Sequence, residues 1–261
     1  MSINENYETA AKRLRAAYAG GPIPPLRDLL APVDLEGAYA VQTINTDYWC
    51  SAGRETVGRK VGLTATAVQE QLGVSQPDFG VLFGDMQVDD GGKVSRESLI
   101  QPRVEAEVAI ILGTDLPGPL VTRLDLENAI TEVAAAIEIV DSRIADWNIS
   151  FSDTVADNGS SGLFVLSARK RELAGLDLWS CGMVLTVNGK VRSLGAGAAC
   201  MGHPLNAAIW LSNTLVERGD PLRAGDIVLT GALGPMTGIA PGDSVEATIG
   251  GLGTVGFEYA K

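Results

Sequence analysis

The segment Gln101-Pro102-Arg103-Val104-Glu105-Ala106-Glu107-Val108-Ala109-Ile110-Ile111-Leu112 sets two carboxylates inside a run of Val, Ile and Ala that reads as a strand. Side chains alternate faces along a strand, so Glu105 and Glu107 share one surface, which continues as Ala109 and Ile111, both read as core. A third glutamate, Glu138, stands in Ala134-Ala135-Ala136-Ile137-Glu138-Ile139-Val140, a setting as apolar as the first. An unpaired carboxylate in apolar surroundings is costly, so a fold that buries these three must bring a cation to them. Few basic residues stand nearby, and an all-carboxylate cage suits a hard divalent ion, Mg²⁺ or Mn²⁺. An E-x-E pair on a strand is usually a solvated face. The apolar flanks and the third embedded glutamate argue against that here.

With 261 residues and 46% hydrophobic composition, the chain has room for one large domain or two small ones with an ample core. A formal net charge of -12 argues against nucleic acid and anionic membranes as partners. An anionic substrate would need a local cation, either a metal or a placed Lys or Arg. Cys50, Cys181 and Cys200 are odd in number and widely spaced, with no C-x-x-C pair, so neither a disulfide framework nor a zinc site is expected, and a reducing cytoplasm fits best. No apolar run reaches about 18 residues. The start, Met1 to Gly21, mixes acids and bases without a signal-peptide core, which predicts a soluble protein that is not exported.

Helical spacing of Ala, Leu and Tyr predicts a helix from about Asn4 to Tyr18, ended by Gly20-Gly21 and the breakers Pro22 to Pro25. A second is predicted over Leu35 to Ala52, with Tyr39, Val41, Ile44 and Tyr48 on its apolar side. After Gly58 the texture turns to short β-like runs: Val57 to Leu63, Val81 to Phe83, Val104 to Leu112, Ile137 to Val140, Leu163 to Leu166, Met183 to Val187, Ile227 to Thr230 and Ser244 to Ile249. Helices are expected to interrupt them at Asp125 to Ala135, with Asp125 as N-cap, and at Pro204 to Arg218. The 31 glycines suit a strand-rich, tightly looped fold. Ala224-Gly225-Asp226 and Pro241-Gly242-Asp243 read as tight turns launching strands. Regular β-α alternation and a glycine-rich nucleotide loop are both missing, which argues against a Rossmann domain. The expected organisation is a single domain, with residues 1–55 a helical N-terminal subregion and 56–261 a β-rich, metal-binding core.

Further candidates for chemistry lie outside the glutamates. Lys60, in Val57-Gly58-Arg59-Lys60-Val61-Gly62-Leu63-Thr64, would ordinarily be a surface lysine, but small neighbours in an apolar strand let it offer a desolvated charge to an anion. Asp78, in Gln76-Pro77-Asp78-Phe79-Gly80, reads as a turn residue. His203, the only histidine, precedes Pro204 and reads as a loop or near-cap residue rather than a catalytic base. Asn158-Gly159-Ser160-Ser161-Gly162 reads as a turn, with an oxyanion or carboxylate cradle as the sharper alternative.

Taken together, Gly58-Arg59-Lys60-Val61-Gly62-Leu63-Thr64, Gln71-Leu72-Gly73-Val74, Gln76-Pro77-Asp78-Phe79-Gly80, Glu105-Ala106-Glu107, Ile137-Glu138-Ile139-Val140-Asp141-Ser142-Arg143 and Leu229-Thr230-Gly231-Ala232-Leu233-Gly234 resemble the 2-hydroxypenta-2,4-dienoate hydratases, in order and spacing across the chain. These belong to the hydratase/decarboxylase branch of the fumarylacetoacetate hydrolase superfamily. The resemblance implies an α+β fold with a mixed β-roll core and a helical N-terminal region. It implies a metal site at Glu105, Glu107 and Glu138, Lys60 and Asp78 as catalytic residues, and Ser160 and Thr230 near the substrate. It further implies a small anionic 2-hydroxydienoate substrate, a homo-oligomer, and room for association with a pathway decarboxylase or aldolase. The implied reaction adds water to 2-hydroxypenta-2,4-dienoate to give 4-hydroxy-2-oxopentanoate. Two rivals share the same residues: a 4-oxalocrotonate-type decarboxylase, and a non-catalytic, metal-stabilised partner subunit of that decarboxylase.

Overall fold

The computed structural model describes residues 4–261; Met1–Ile3, where the acid-and-base-mixed start begins, lie outside the described residues. Helices α1 (Glu5–Gly20) and α2 (Leu35–Ser51) open the chain. Each begins on a side-chain acceptor, Asn4 taking the N–H of Asn6 and Asp34 that of Gly37, which satisfies amides the helix itself leaves free. Then follow β1 (Thr56–Gly62), α3 (Thr66–Leu72), β2 (Asp78–Phe83), β3 (Gln87–Val88), β4 (Gly92–Val94), β5 (Arg103–Leu112), α4 (Arg123–Ala129) and β6 (Ile130–Val140). The second half holds α5 (Phe151–Ala156), β7 (Ser161–Arg171), β8 (Gly182–Val187), β9 (Lys190–Ala196) and α6 (Pro204–Glu217). It closes with β10 (Ile227–Ala232), β11 (Thr237–Gly238), β12 (Ser244–Ile249) and β13 (Gly253–Tyr259).

The strands make two sheets. The larger runs β2-β1-β10-β5-β6-β7-β3 with β11 added to β5, and the smaller runs β4-β13-β12-β8-β9. Both parallel and antiparallel pairs occur in each, as in β1 with β10 and β1 with β2. Although four strands stand between β2 and β7, the two touch, so the large sheet curls into a roll. Alternation along β5 then sorts its side chains. Val104, Ala106, Val108 and Ile110 join a core shared with Leu185, Val187, Val245 and Phe257 of the small sheet. Ala109, on the opposite face, joins Ala134, Ala136, Phe164 and Leu229 inside the roll, with Ile111 packed at the edge of that cluster.

The N-terminal helices are not a separate body: Ala10, Leu14, Ala38 and Val41 bury into the same core as Val104 and Ile137. Burial of each large aliphatic side chain is worth about 1.5–3 kcal/mol, enough in sum to fix the helices against the sheet. The two Gly-Asp turns launch β10 and β12 as read, with Gly225 at φ 92° and Gly242 at φ 95°, a conformation glycine alone adopts freely.

Two readings of local structure need correction. The helix expected from Asp125 to Ala135 is only α4, and Asp125 sits inside its first turn; Thr122 is the N-cap, in a reciprocal pair with Asp125. From Ile130 the chain is already a strand, because the alanines at 134 to 136 lie between β5 and β7, where ladder pairing and close packing override alanine's helix preference. Asp78 is likewise not a turn residue but the first, fully buried residue of β2.

Candidate metal centre and active site

Strand register assembles the carboxylates. Glu105 on β5 stands directly opposite Glu138 on β6, and Glu107 opposite Ala136, so the three side chains share one face at neighbouring ladder positions. One carboxylate oxygen from each lies within 4.8 Å of the others. Glu107 and Glu138 are buried, while Glu105 is partly open. The Gly231 amide donates to Glu107 Oε2 at 2.7 Å, while Glu107 Oε1 and both oxygens of Glu138 have no hydrogen-bond partner among the described residues. One oxygen from each glutamate gathered so closely, with three buried oxygens left without a hydrogen bond, fits a divalent cation with oxygen ligands.

Lys60 enters from β1. Its Nζ approaches Glu138 Oε1 at 3.2 Å, an electrostatic contact without hydrogen-bond alignment, and donates to the carbonyl of Gly159. One cation therefore does stand at the edge of the cage, ion-paired to Glu138 alone among the three glutamates, and it cannot balance all of them. Desolvation alone would lower the pKa of this buried ammonium, yet the surrounding charges of Glu138, Asp78, Glu105 and Glu107 outweigh it and hold Lys60 protonated. Asp78 pairs with Gly62 across the β1–β2 ladder, two residues from Lys60 on the same face. Burial pushes its carboxyl up against the opposing pull of Lys60, and Asp78 Oδ1 has no hydrogen-bond partner among the described residues. Burial and the charge of Glu138 push Glu105 up to about 7, and burial and the same neighbour raise Glu107 well above the ordinary range.

Glycines make this crowding feasible. A Cβ on Gly62 would lie 2.1 Å from Asp78 Oδ1, and one on Gly231 would lie 2.3 Å from Thr64 Cγ2. The motif Gly58 to Thr64 was visible in the sequence, but no local pattern tells which of its glycines makes room for a carboxylate 16 positions on. Ser160 and Thr230 are both buried. Ser160 Oγ shares a 3.1 Å hydrogen bond with Thr154, and Thr230 Oγ1 donates to Val108 O at 2.8 Å, so each hydroxyl is already engaged. Arg143, at the end of a motif already noted, is fully buried against Asp157, a pair that sequence reading missed for want of any local sign of burial.

His203 is the N-cap of α6, its Nδ1 accepting the Leu205 amide at 3.0 Å, away from the glutamates. The cysteines are all free; burial, then Glu107, pushes the Cys200 thiol up to about 12, which leaves it inert. Cavities lie elsewhere, beside Tyr18, Trp49 and Arg54, beside Arg123 and His203, and beside Leu116 and Leu120, and none of these includes a glutamate of the cage. Donor chemistry, not cavity size, locates the site.

A carboxylate cage beside a buried Lys and Asp inside a β-roll has the donor set to hold a divalent metal. The fumarylacetoacetate (FAA) hydrolase C-terminal model matches residues 52–258, and the chain belongs to that family. Within it, the chain is similar to 2-keto-4-pentenoate hydratase 2 of Dechloromonas aromatica (strain RCB), 57% identical over 97% of both chains. It is also 49% identical to 2-keto-4-pentenoate hydratase of Paraburkholderia xenovorans (strain LB400), over 99% of this chain and 96% of the relative. Among solved structures, 4-oxalocrotonate decarboxylase from Pseudomonas putida G7, complexed with magnesium and adipate, superposes with TM-score 0.94 and 34% identity, covering 99% of both chains.

Proposed function

We propose that this protein is a metal-dependent hydro-lyase that adds water to 2-hydroxypenta-2,4-dienoate, or to a longer 2-hydroxyalka-2,4-dienoate, in aromatic meta-cleavage degradation. The parent substrate would give 4-hydroxy-2-oxopentanoate. The observation that carries the reading is the set of three buried carboxylate oxygens on Glu107 and Glu138 that lack a hydrogen bond among the described residues, on one face with Lys60 and Asp78. Glu105, Glu107 and Glu138 would hold Mg²⁺ or Mn²⁺, which when bound supplies Lewis-acid polarisation of the substrate's 2-oxygen.

The chain's own groups then divide the work. Lys60, held protonated, offers its charge to the substrate carboxylate or to the oxygen on which enolate charge develops. Asp78, its carboxyl raised by burial and its Oδ1 without a hydrogen bond among the described residues, moves protons. One goes to C5 of the dienol as the 2-hydroxyl proton is lost, which makes C4 electrophilic, and one comes from the water that adds there, passed on to C3 as the enolate returns to the 2-oxo form. The proton lost from the 2-hydroxyl restores the Asp78 acid. Thr230 already donates to Val108, so toward the reactants it can only accept, which suits the attacking water or the new 4-hydroxyl. Ser160, next in sequence to the Gly159 whose carbonyl Lys60 reaches, is assigned to the substrate's surroundings. The three free cysteines suit a reducing cytoplasm, and the same proposal includes a homo-oligomer.

The decarboxylase reading draws on the likeness to the Pseudomonas putida enzyme, but the hydratases are closer, at 49–57% against 34% identity. Assaying the isolated protein with freshly generated 2-hydroxypentadienoate, with and without metal, decides among the three readings. The expected result is loss of dienoate absorbance, formation of the 4-hydroxy-2-oxo acid, and no CO₂ from a 2-oxo-3-enedioate. Decarboxylation would favour the sister enzyme; no turnover of either substrate would favour the partner subunit.

A further inference from the structure

We propose that Asn158 and Gly159 are positioning residues for Lys60, acting through a left-handed turn that keeps the ammonium from collapsing into the carboxylate cage. Asn158, Gly159 and Ser160 have φ of 58°, 61° and 53°, three consecutive residues in a region that L residues seldom enter even singly. Such a run persists only where its surroundings hold it, and here they do so from three sides. The side chain of Asn158 clamps β2 at two points: it accepts the Val81 amide at 2.7 Å and donates to the Val81 carbonyl at 2.9 Å. Buried Arg143 grips both ends of the turn, donating to the Asp157 carboxylate at 2.6 Å, to Asp157 O at 2.8 Å and to Ser161 O at 2.9 Å. Gly80 on β2 makes room, since a Cβ there would lie 2.3 Å from Asn158 O.

The turn delivers one group, the Gly159 carbonyl, to Lys60 Nζ. A lysine chain has wide rotamer freedom, and the charges of Glu138, Asp78, Glu105 and Glu107 all pull on this one. Left free, it would move from its contact with Glu138 deeper among the glutamates, where a metal ion and an anionic substrate need it not to be. The neutral Gly159 carbonyl resists that pull and stations Nζ 3.2 Å from Glu138 Oε1. Gly159 also has no side chain to intrude, for a Cβ would lie 2.6 Å from Lys60 Cε and 3.0 Å from Nζ.

The proposal draws on the hydratase reading only where turnover is measured, so the test has one arm that needs no substrate. Lys60 in the full chain is reductively methylated and followed by peptide mass spectrometry, with exposed Lys93 as internal control. Asn158→Ala and Gly159→Ala, each checked for folding by near-ultraviolet circular dichroism, should change the Lys60 rate at least fivefold and leave Lys93 unchanged. Asn158→Asp keeps an acceptor for the Val81 amide and should fall between them and wild type, which also provides a folded variant if either alanine change fails to fold. In the second arm, Asn158→Ala and Gly159→Ala should lower kcat/KM at least tenfold, but not further in a Lys60→Ala background, because the turn then has nothing to position. Wild-type labelling of Lys60 in all folded variants, or a loss that multiplies in the Lys60→Ala background, would overturn the proposal. If wild type fails to hydrate the dienoate, the functional reading falls while the labelling arm still decides this one.

Discussion

Replacing Glu105 by glutamine should flatten the pH dependence of stability in the metal-free protein. Burial and Glu138 carry the Glu105 carboxyl from 4.5 to about 7, so between those values the folded chain keeps a proton that the unfolded chain gives up. Stability therefore falls as pH rises through this window, by about 1.4 kcal/mol per pKa unit, or about 3 kcal/mol from Glu105 at full weight. Solvent at the open side of Glu105 screens part of this, which makes the figure a ceiling. For a chain of this size it corresponds to a melting point lower by about 6–12 °C at pH 8 than it would be with an unperturbed carboxyl. Asp157, held up to about 6, and Asp78 act with the same sign, but both remain in Glu105→Gln and drop out of the difference. Glu107 is raised partly by the charge of Glu105, so the difference reports the coupled pair. The assay is thermal melting in EDTA from pH 4.5 to 8 for both proteins. Mg²⁺ at a hundredfold excess over its Kd should return about 2.7 kcal/mol to wild type at pH 8. Equal slopes for the two proteins, or a wild-type stability that rises across the window, would refute the reasoning.

Chelation should abolish turnover and Mg²⁺ or Mn²⁺ restore it; full activity in protein shown by elemental analysis to be metal-free would dismiss the cage. Asp78→Asn should retain metal binding by calorimetry but lose about 10²- to 10⁴-fold in kcat, the usual worth of general acid-base catalysis, and hydration at wild-type rate would move the proton carrier elsewhere. Lys60→Ala should raise KM, and lower kcat as well if its contact strengthens as enolate charge develops. Gly62→Ala puts a methyl 2.1 Å from Asp78 Oδ1, so it should reproduce the Asp78→Asn kinetic defect and cost about 1–3 kcal/mol in stability as an overpacked site, measured by urea unfolding.

The sequence by itself determined the parts of this protein that are written locally. Alternation through Val104 to Leu112 put Glu105 and Glu107 on one face, and breakers and caps marked α1, α2 and α6 to within a few residues. The embedding of Glu138 among apolar residues foretold its burial. Several elements escaped because their local signal is weak or misleading. The run after Asp125 has helix-favouring alanines yet forms β6, and β9 and β13 carry too many polar and glycine positions to stand out. Tertiary structure alone decided the geometry of the candidate site. Register set Glu105 against Glu138 and Asp78 against Gly62, and the closure of the roll brought Lys60 to a carbonyl 99 positions away. A local pattern reports which face a side chain takes, because that follows from the backbone repeat of its own element. Which distant face it meets depends on the packing of every strand between, and no short stretch of residues encodes that.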